Sequence, residues 1–475
     1  MTQLAVAIPG HRTFGSGQVR GSRLEGMLRE LLPRAIDAAF AATVSSRPLP
    51  LREARIMTVG SATTFAIAAA FLLATAPAGS AAPSAAQPFD AAAAWREFDE
   101  LVRLRYGYLE RPGIHGDAIL RHFAPAAEAT KTPPQFIDVL QLVAHNFADP
   151  HFIVGPLNDD DYAVFPTSAD LFAEGVGESF SIVDVRRDSD AAARGVTPGA
   201  RVVTIDGLSP QLAIERALGR PFAELSREQK NAGINIALAG RRHHRRSLVL
   251  ASGAETRSFD LAPTNALADS IAARAPVTVD RRPGGVAVIR IENSLGNNAT
   301  IQAFAGALNS VRDSRRLVID LRNTPSGGNT TVARGILGHF VDREHPYQIH
   351  VVPGEERQFG VPRKFVEYVL PIAPRYRGKV IVLGGHWTGS MGEGLMIAFN
   401  AIGIPTAGSQ LAHLLGALSN EQLERSGARV DLGEEQLFDV RGRPRENFIP
   451  DIHVEREEGS NGADPLLDHA LRSLK

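Results

Sequence analysis

From residue 277 onward the chain alternates between two hydrophobic periods. VAVIRI, RLVIDLR and KVIVLGG are short continuous apolar runs, and each is followed by a run with helical spacing: NATIQAFAGALNSVR, TVARGILGHF and EGLMIAFNAIG. Strand and helix signals that alternate in this way predict a parallel-rich sheet with covering helices. That constraint accounts for less than half of a 475-residue chain, which is too long for one compact core, so two or three domains are expected.

Upstream the pattern changes twice. FDAAAAWREFDELVRLRY spaces Phe89, Trp95, Phe98, Leu101 and Val102 three and four residues apart. PPQFIDVLQLVAHNFADP does the same with Phe136, Val139, Leu140 and Val143, behind prolines suited to a helix start. A helical bundle is predicted over 86–162. Residues 163–263 are strand-rich, with SFSIVDV, a short helix, Gly-Val and Pro-Gly turns, and a strand ending at Asp206-Gly207. This stretch resembles a PDZ domain. The resemblance implies a carboxylate-binding loop at Gly175, Val176 and Gly177, where a peptide chain end would add to a sheet edge. A fold whose groove is filled from within is the alternative.

Residues 1–85 are set apart from the fold. Arg52 and Arg55 precede Met57, TTFAIAAAFLLATA follows at 63–76, and Ala76-Pro77-Ala78 offers a small-residue cleavage site. A basic start, a short apolar stretch and such a site match a secretory signal, so a periplasmic or secreted protein is expected, with no stable membrane span after processing. Translation starting at Met57 rather than Met1 would account for the unusual extension ahead of the signal.

Composition removes several chemistries. There is no cysteine, hence no disulfide, thiolate metal site or Cys nucleophile. A formal net charge of −1 gives no electrostatic reason to expect nucleic acid. The basic run Arg241–Arg246 reads as a solvated hairpin tip. No His/Asp/Glu cluster has metal-ligand spacing, and neither metal nor cofactor is expected.

Chemistry concentrates in GGHWTGSMGEG, residues 384–394, a turn between an apolar strand and a helix. Gly384 and Gly389 have the spacing of a phosphate loop, but Ser390 stands where that loop needs Lys. A serine on a tight strand-to-helix turn has an exposed Oγ and a helix N-terminus to favour developing negative charge, so Ser390 reads as a nucleophile. Glu393 reads as support for that helix start. VIDLRNTPSGGNT, residues 318–330, is a second strand entering a glycine-rich turn able to present backbone N–H groups.

Three blocks together resemble the C-terminal-processing serine peptidases, in the tricorn-like branch: DLRNTPSGG, HWTGSMGEG and RENFIPDIHV. The resemblance implies a multidomain α+β protein with a helical bundle (86–162), a PDZ-like β domain (163–263) and an α/β peptidase core of the ClpP/crotonase type (264–475). It implies Ser390 as nucleophile, His151 in FADPHF as base, Glu446 as the carboxylate that orients it, and the N–H groups of Gly327 and Met391 as oxyanion hole. The Lys base of another branch of the family has Leu415 at its matching place, and Lys131, Lys230, Lys364, Lys379 and Lys475 fit no dyad. His413 is the rival base, and His386 precedes Ser390 in the same turn. The expected function is an exported serine endopeptidase acting on peptides or proteins, with its oligomeric state open. The alternative is an inactive relative that binds a peptide or another ligand, suggested by departures at Pro150, Thr324 and Ser326.

Overall fold

The computed structural model describes residues 88–454 and 464–474. The signal-like stretch, Met57 and Ala76-Pro77-Ala78 lie outside them. Among the described residues no helix is long and apolar enough to cross a membrane.

The alternating region folds as its periodicity demands. Six strands lie in the order Ile452–His453, Thr406–Gly408, Lys379–Gly384, Arg316–Asp320, Val286–Ile291 and Val277–Arg282. Neighbours are parallel except for the last pair. Successive side chains take opposite faces, as a strand requires. Ile289, Ile319 and Val382 point into a core closed by the helices Ala299–Ser310, Thr330–Leu337 and Met391–Ala401. Val288, Val318 and Ile381 point the other way, against the helix Pro465–Ser473. The helix Met391–Ala401 is buried from Met391 through Phe399, because a second sheet packs over its outer side.

That second sheet has the order Lys364–Val369, His345–Val351, Arg429–Phe438 and Ala417–Gln422, all antiparallel. It also recruits the short strand Ile153–Gly155, which pairs with Arg429–Asp431. The N-terminal helices Ala91–Arg105, Gly116–Glu128 and Pro133–Asn146 therefore do not close only on one another. Their core of Trp95, Phe98, Val102, Phe136, Leu140 and Val143 continues into Leu415, Leu423, Val430 and Leu432. This shared core brings residues near 150 beside residues near 415.

The strand-rich middle is a five-stranded antiparallel sheet from Leu171–Val176 to Glu255–Leu261, covered by helices Pro210–Leu218 and Arg227–Ala239. The basic run departs from the solvated tip expected of it. His243 and His244 are exposed, but Arg246 begins a strand and is 1% exposed, held bidentately by Asp170 with both contacts at 2.8 Å. A buried guanidinium requires such a partner, and a six-residue window of sequence does not contain it.

Candidate active site

Ser390 sits where strand Lys379–Gly384 turns into helix Met391–Ala401, with φ 52° and ψ −115°. A non-glycine residue at positive φ is held there by its surroundings, at a cost of roughly 1–3 kcal/mol. The surroundings are specific. Thr388 Oγ1 donates to the Leu321 carbonyl at 2.9 Å and accepts from Gly385 N–H at 2.9 Å. Thr324 N–H donates to the Trp387 carbonyl and Gly389 N–H to the Thr324 carbonyl, so the Ser390 turn is stapled to the 321–328 turn. A Cβ on Gly389 would lie 2.6 Å from the Pro325 carbonyl oxygen, which is why glycine precedes the serine. Ser390 N–H donates to Glu393 Oε2 at 2.8 Å. Glu393 is thus a buried acceptor rather than a surface charge at a helix start, and burial raises its carboxyl to about 7.

His151 is 3% exposed. Its Nδ1 lies 3.0 Å from the Leu415 carbonyl, and its Nε2 is buried without a hydrogen-bond partner. Burial, reinforced by the nearby Arg445 charge, lowers its imidazole to about 4. The structure places a backbone carbonyl, not the Glu446 carboxylate, against Nδ1. Glu446 lies on the short turn Arg445–Asn447, with Oε2 buried and unpartnered. His413 stands close by, its Nδ1 2.8 Å from the Glu446 carbonyl. His386 is turned away: its Nδ1 is 3.0 Å from buried Asp184, and its ring stacks on Phe172 at 4.2 Å. That contact fastens the nucleophile turn to the five-stranded unit.

Of the two amides expected to hold an oxyanion, Met391 N–H opens a helix, where the first amides have no intrahelical acceptor. Gly327 has room around it, since a Cβ there would meet nothing within 4 Å. Gly328 is the glycine that geometry requires: a Cβ would lie 2.5 Å from Met391 Cβ and 2.7 Å from Leu295 Cβ. Thr324 and Ser326, both departures from the family pattern, are satisfied locally. Thr324 Oγ1 donates to the Leu321 carbonyl at 2.6 Å, and Ser326 N–H and Oγ both bond to Asn293 Oδ1.

A cavity of about 510 Å³ opens among the N-terminal helices, the five-stranded unit and the core, with His413, Glu446 and Asp149 in its wall. Phe172 and Glu174 contribute from the five-stranded unit, whereas Gly175, Val176 and Gly177 lie outside the lining. Those three belong to a tight hairpin. Val176 pairs with Ser179, Gly177 takes φ 65°, and Gly175 N–H donates to Asn231 Oδ1 at 3.0 Å. Two residues back, Asn235 bonds both the N–H and the carbonyl of Ala173 at 2.9 Å. Among the described residues no group of three or more His, Asp or Glu is placed to hold a metal ion.

No curated protein sequence matches the chain. Among solved structures it is similar to the photosystem II D1 C-terminal processing protease, at 16% identity and TM-score 0.51, covering 80% of this chain and 95% of that one. It is also similar to mature CPAF, at 14% identity and TM-score 0.50, covering 77% and 92% of the two chains. A mutant of CPAF aligns at 13% identity and TM-score 0.51, with the same coverage. At such identities the likeness speaks for the fold. Residues 285–454, which hold five of the six strands of the parallel-rich sheet, the Ser390 turn and Glu446, match the model of peptidase family S41. With that match residues 285–454 are similar to peptidase family S41, and the chain is a serine-type peptidase, whose substrates are peptides or proteins.

Proposed function

We propose that Ser390 is the nucleophile and His151 the general base of acyl transfer, with the N–H groups of Gly327 and Met391 receiving the oxyanion. The observation that carries this reading is the state of the His151 ring. An Nδ1 facing a carbonyl carries the proton, so the buried Nε2 presents a lone pair with no partner. In that form it accepts the Ser390 proton as Oγ attacks the scissile carbonyl. The proton then passes to the leaving amine, and water reverses the sequence to release the acyl group. Glu446 is the third member of the triad in this reading and acts on the imidazolium by charge, since Nδ1 already has the Leu415 carbonyl. The five-stranded unit engages peptide where Phe172 and Glu174 enter the cavity wall. Export, suggested by the 57–78 segment, belongs to the same reading. The amino terminus of the protein recovered from the periplasm or medium checks it.

A second reading assigns the base to His413, because it lines the cavity directly and its Nδ1 also faces a carbonyl. Burst kinetics with an activated peptide ester separate the two. A stoichiometric burst that His151→Ala slows by about 10³-fold or more supports His151, and the same loss in His413→Ala alone moves the base there. A folded wild type that gives no burst and only binds peptide would sink the catalytic reading.

A further inference from the structure

Two buried carboxylates connect the reacting residues to adjacent amides of one segment. Asp149 Oδ1 accepts the N–H of His151 at 2.9 Å and the N–H of Leu415 at 3.2 Å, while Oδ2 accepts the Tyr106 hydroxyl at 2.9 Å. Glu393 Oε2 accepts the N–H of Ser390 at 2.8 Å and the N–H of Leu414 at 3.3 Å. The same segment returns the Leu415 carbonyl to His151 Nδ1 at 3.0 Å. Arg445 braces it from behind, donating to the carbonyls of Leu414 at 2.6 Å and Gly416 at 3.1 Å.

Asp149 is 5% exposed, Glu393 0% and Arg445 3%. Burying carboxylates is expensive, and apolar replacements of similar volume often do as well for stability. Neither carboxylate is matched by a close ion pair that would repay its burial. The nearest Arg445 nitrogen is 3.6 Å from Glu393 Oε2, and Glu393 Oε1 has no partner. What each carboxylate does provide is an acceptor shared between a reacting residue and the 414–415 amides. Two buried acceptors at consecutive amides fix a register that one flexible contact could not.

We propose that Asp149 and Glu393 are positioning residues of the acyl-transfer step. Asp149 ties the base, and Glu393 ties the nucleophile, to the consecutive peptide units Leu414 and Leu415, which set the separation of His151 and Ser390. The assignment rests on Ser390 as nucleophile and His151 as base. The 414–415 segment thus serves as a mount for two residues that come from distant parts of the chain.

The test uses the full chain. Fluorophosphonate labelling rate, peptide kcat and KM, and melting temperature are measured for Asp149→Ala, Asp149→Asn, Glu393→Ala and Glu393→Gln. Each alanine variant is expected to lose about 100-fold in kcat and labelling rate with KM near wild type. Each amide variant, whose side-chain oxygen still accepts both N–H groups, is expected to recover about 10-fold or more of that loss. Asp149→Ala placed on His151→Ala should cost no more than about 3-fold further, because its effect runs through the base. Should the alanine variants fail to fold, Asp149→Glu keeps the charge, moves the oxygens by one methylene, and should still lose about 10-fold.

Wild-type rates in the alanine variants or in Asp149→Glu, equal losses in alanine and amide variants, or a full Asp149→Ala penalty without His151 would each overturn the proposal. Wild-type labelling by His151→Ala would instead overturn the base assignment, and with it the Asp149 half. The Glu393 pair is read independently.

Discussion

Gly328→Ala is a perturbation whose size can be worked out from two distances. The added Cβ would lie 2.5 Å from Met391 Cβ and 2.7 Å from Leu295 Cβ. Ordinary carbon contacts need about 3.5 Å or more, so the 326–328 turn and the start of helix Met391–Ala401 must separate by roughly 1 Å. Met391 cannot yield inward, because the helix is buried from Met391 through Phe399. The displacement therefore falls on the amides proposed to hold the oxyanion. Overpacking of this kind costs about 1–3 kcal/mol of stability. A misplacement near 1 Å costs about 100-fold in rate. Gly327→Ala is the matched control, since its Cβ meets nothing within 4 Å. The assay is kcat and KM on a quenched peptide, with urea unfolding alongside. The expected result is a kcat loss of about 100-fold for Gly328→Ala at near-normal KM, and a much smaller loss for Gly327→Ala. Wild-type kcat in Gly328→Ala, or a larger loss in Gly327→Ala, would refute the argument that the two turns jointly shape the oxyanion site.

Four further outcomes follow from the structure. With burial and Arg445 lowering His151 from 6.5 to about 4, the imidazole stays neutral through mildly acidic pH, so the acid limb of kcat/KM is expected near pH 4. Buried Asp149 and Glu393, raised to about 6 and about 7, titrate higher, so a limb near 6.5 that persists in Asp149→Asn and Glu393→Gln would exclude this His151 as base. The linked stability effect has a definite sign: the unfolded chain takes up a proton below 6.5 that the folded site refuses until about 4, so this contribution falls as pH falls through that window, as urea midpoints would show. Asp170→Ala strands the buried Arg246 guanidinium and should cost about 3–5 kcal/mol in urea unfolding, against little change for Asp260→Ala at the exposed Arg245 pair. Ser390→Gly relieves a positive φ and should unfold about 1 kcal/mol later than Ser390→Ala, and equal stabilities would mean the turn is unstrained.

The sheet was legible because its strands carry their own evidence. VAVIRI became Val286–Ile291 and KVIVLG became Lys379–Gly384, each followed by the anticipated helix. The helix Gly116–Glu128 was harder to read, since it opens on glycine and contains Pro125. The serine and its turn were legible for the same local reason: glycines flank a strand-to-helix corner. What the sequence hides is everything that depends on contacts across hundreds of residues. Asp149 in FADPHF looks like a turn residue until its oxygen is seen 3.2 Å from the amide of Leu415, 266 positions away. The shared core that joins the N-terminal helices to Leu423 and Val430 has no local signature either, because an amphipathic helix does not announce its partner. Glu446 illustrates the opposite case, where a motif located the residue but not its bonds: the atom against His151 Nδ1 is a carbonyl oxygen, which any residue at 415 would supply.

The central claim is that Ser390 is an activated nucleophile served by His151. Its most direct test is mass spectrometry of the purified protein after treatment with a fluorophosphonate, with peptide mapping of the adduct. The account predicts a single adduct on Ser390, absent in Ser390→Ala and strongly diminished in His151→Ala. A folded wild type that takes up no label, or labels at another residue, would contradict it.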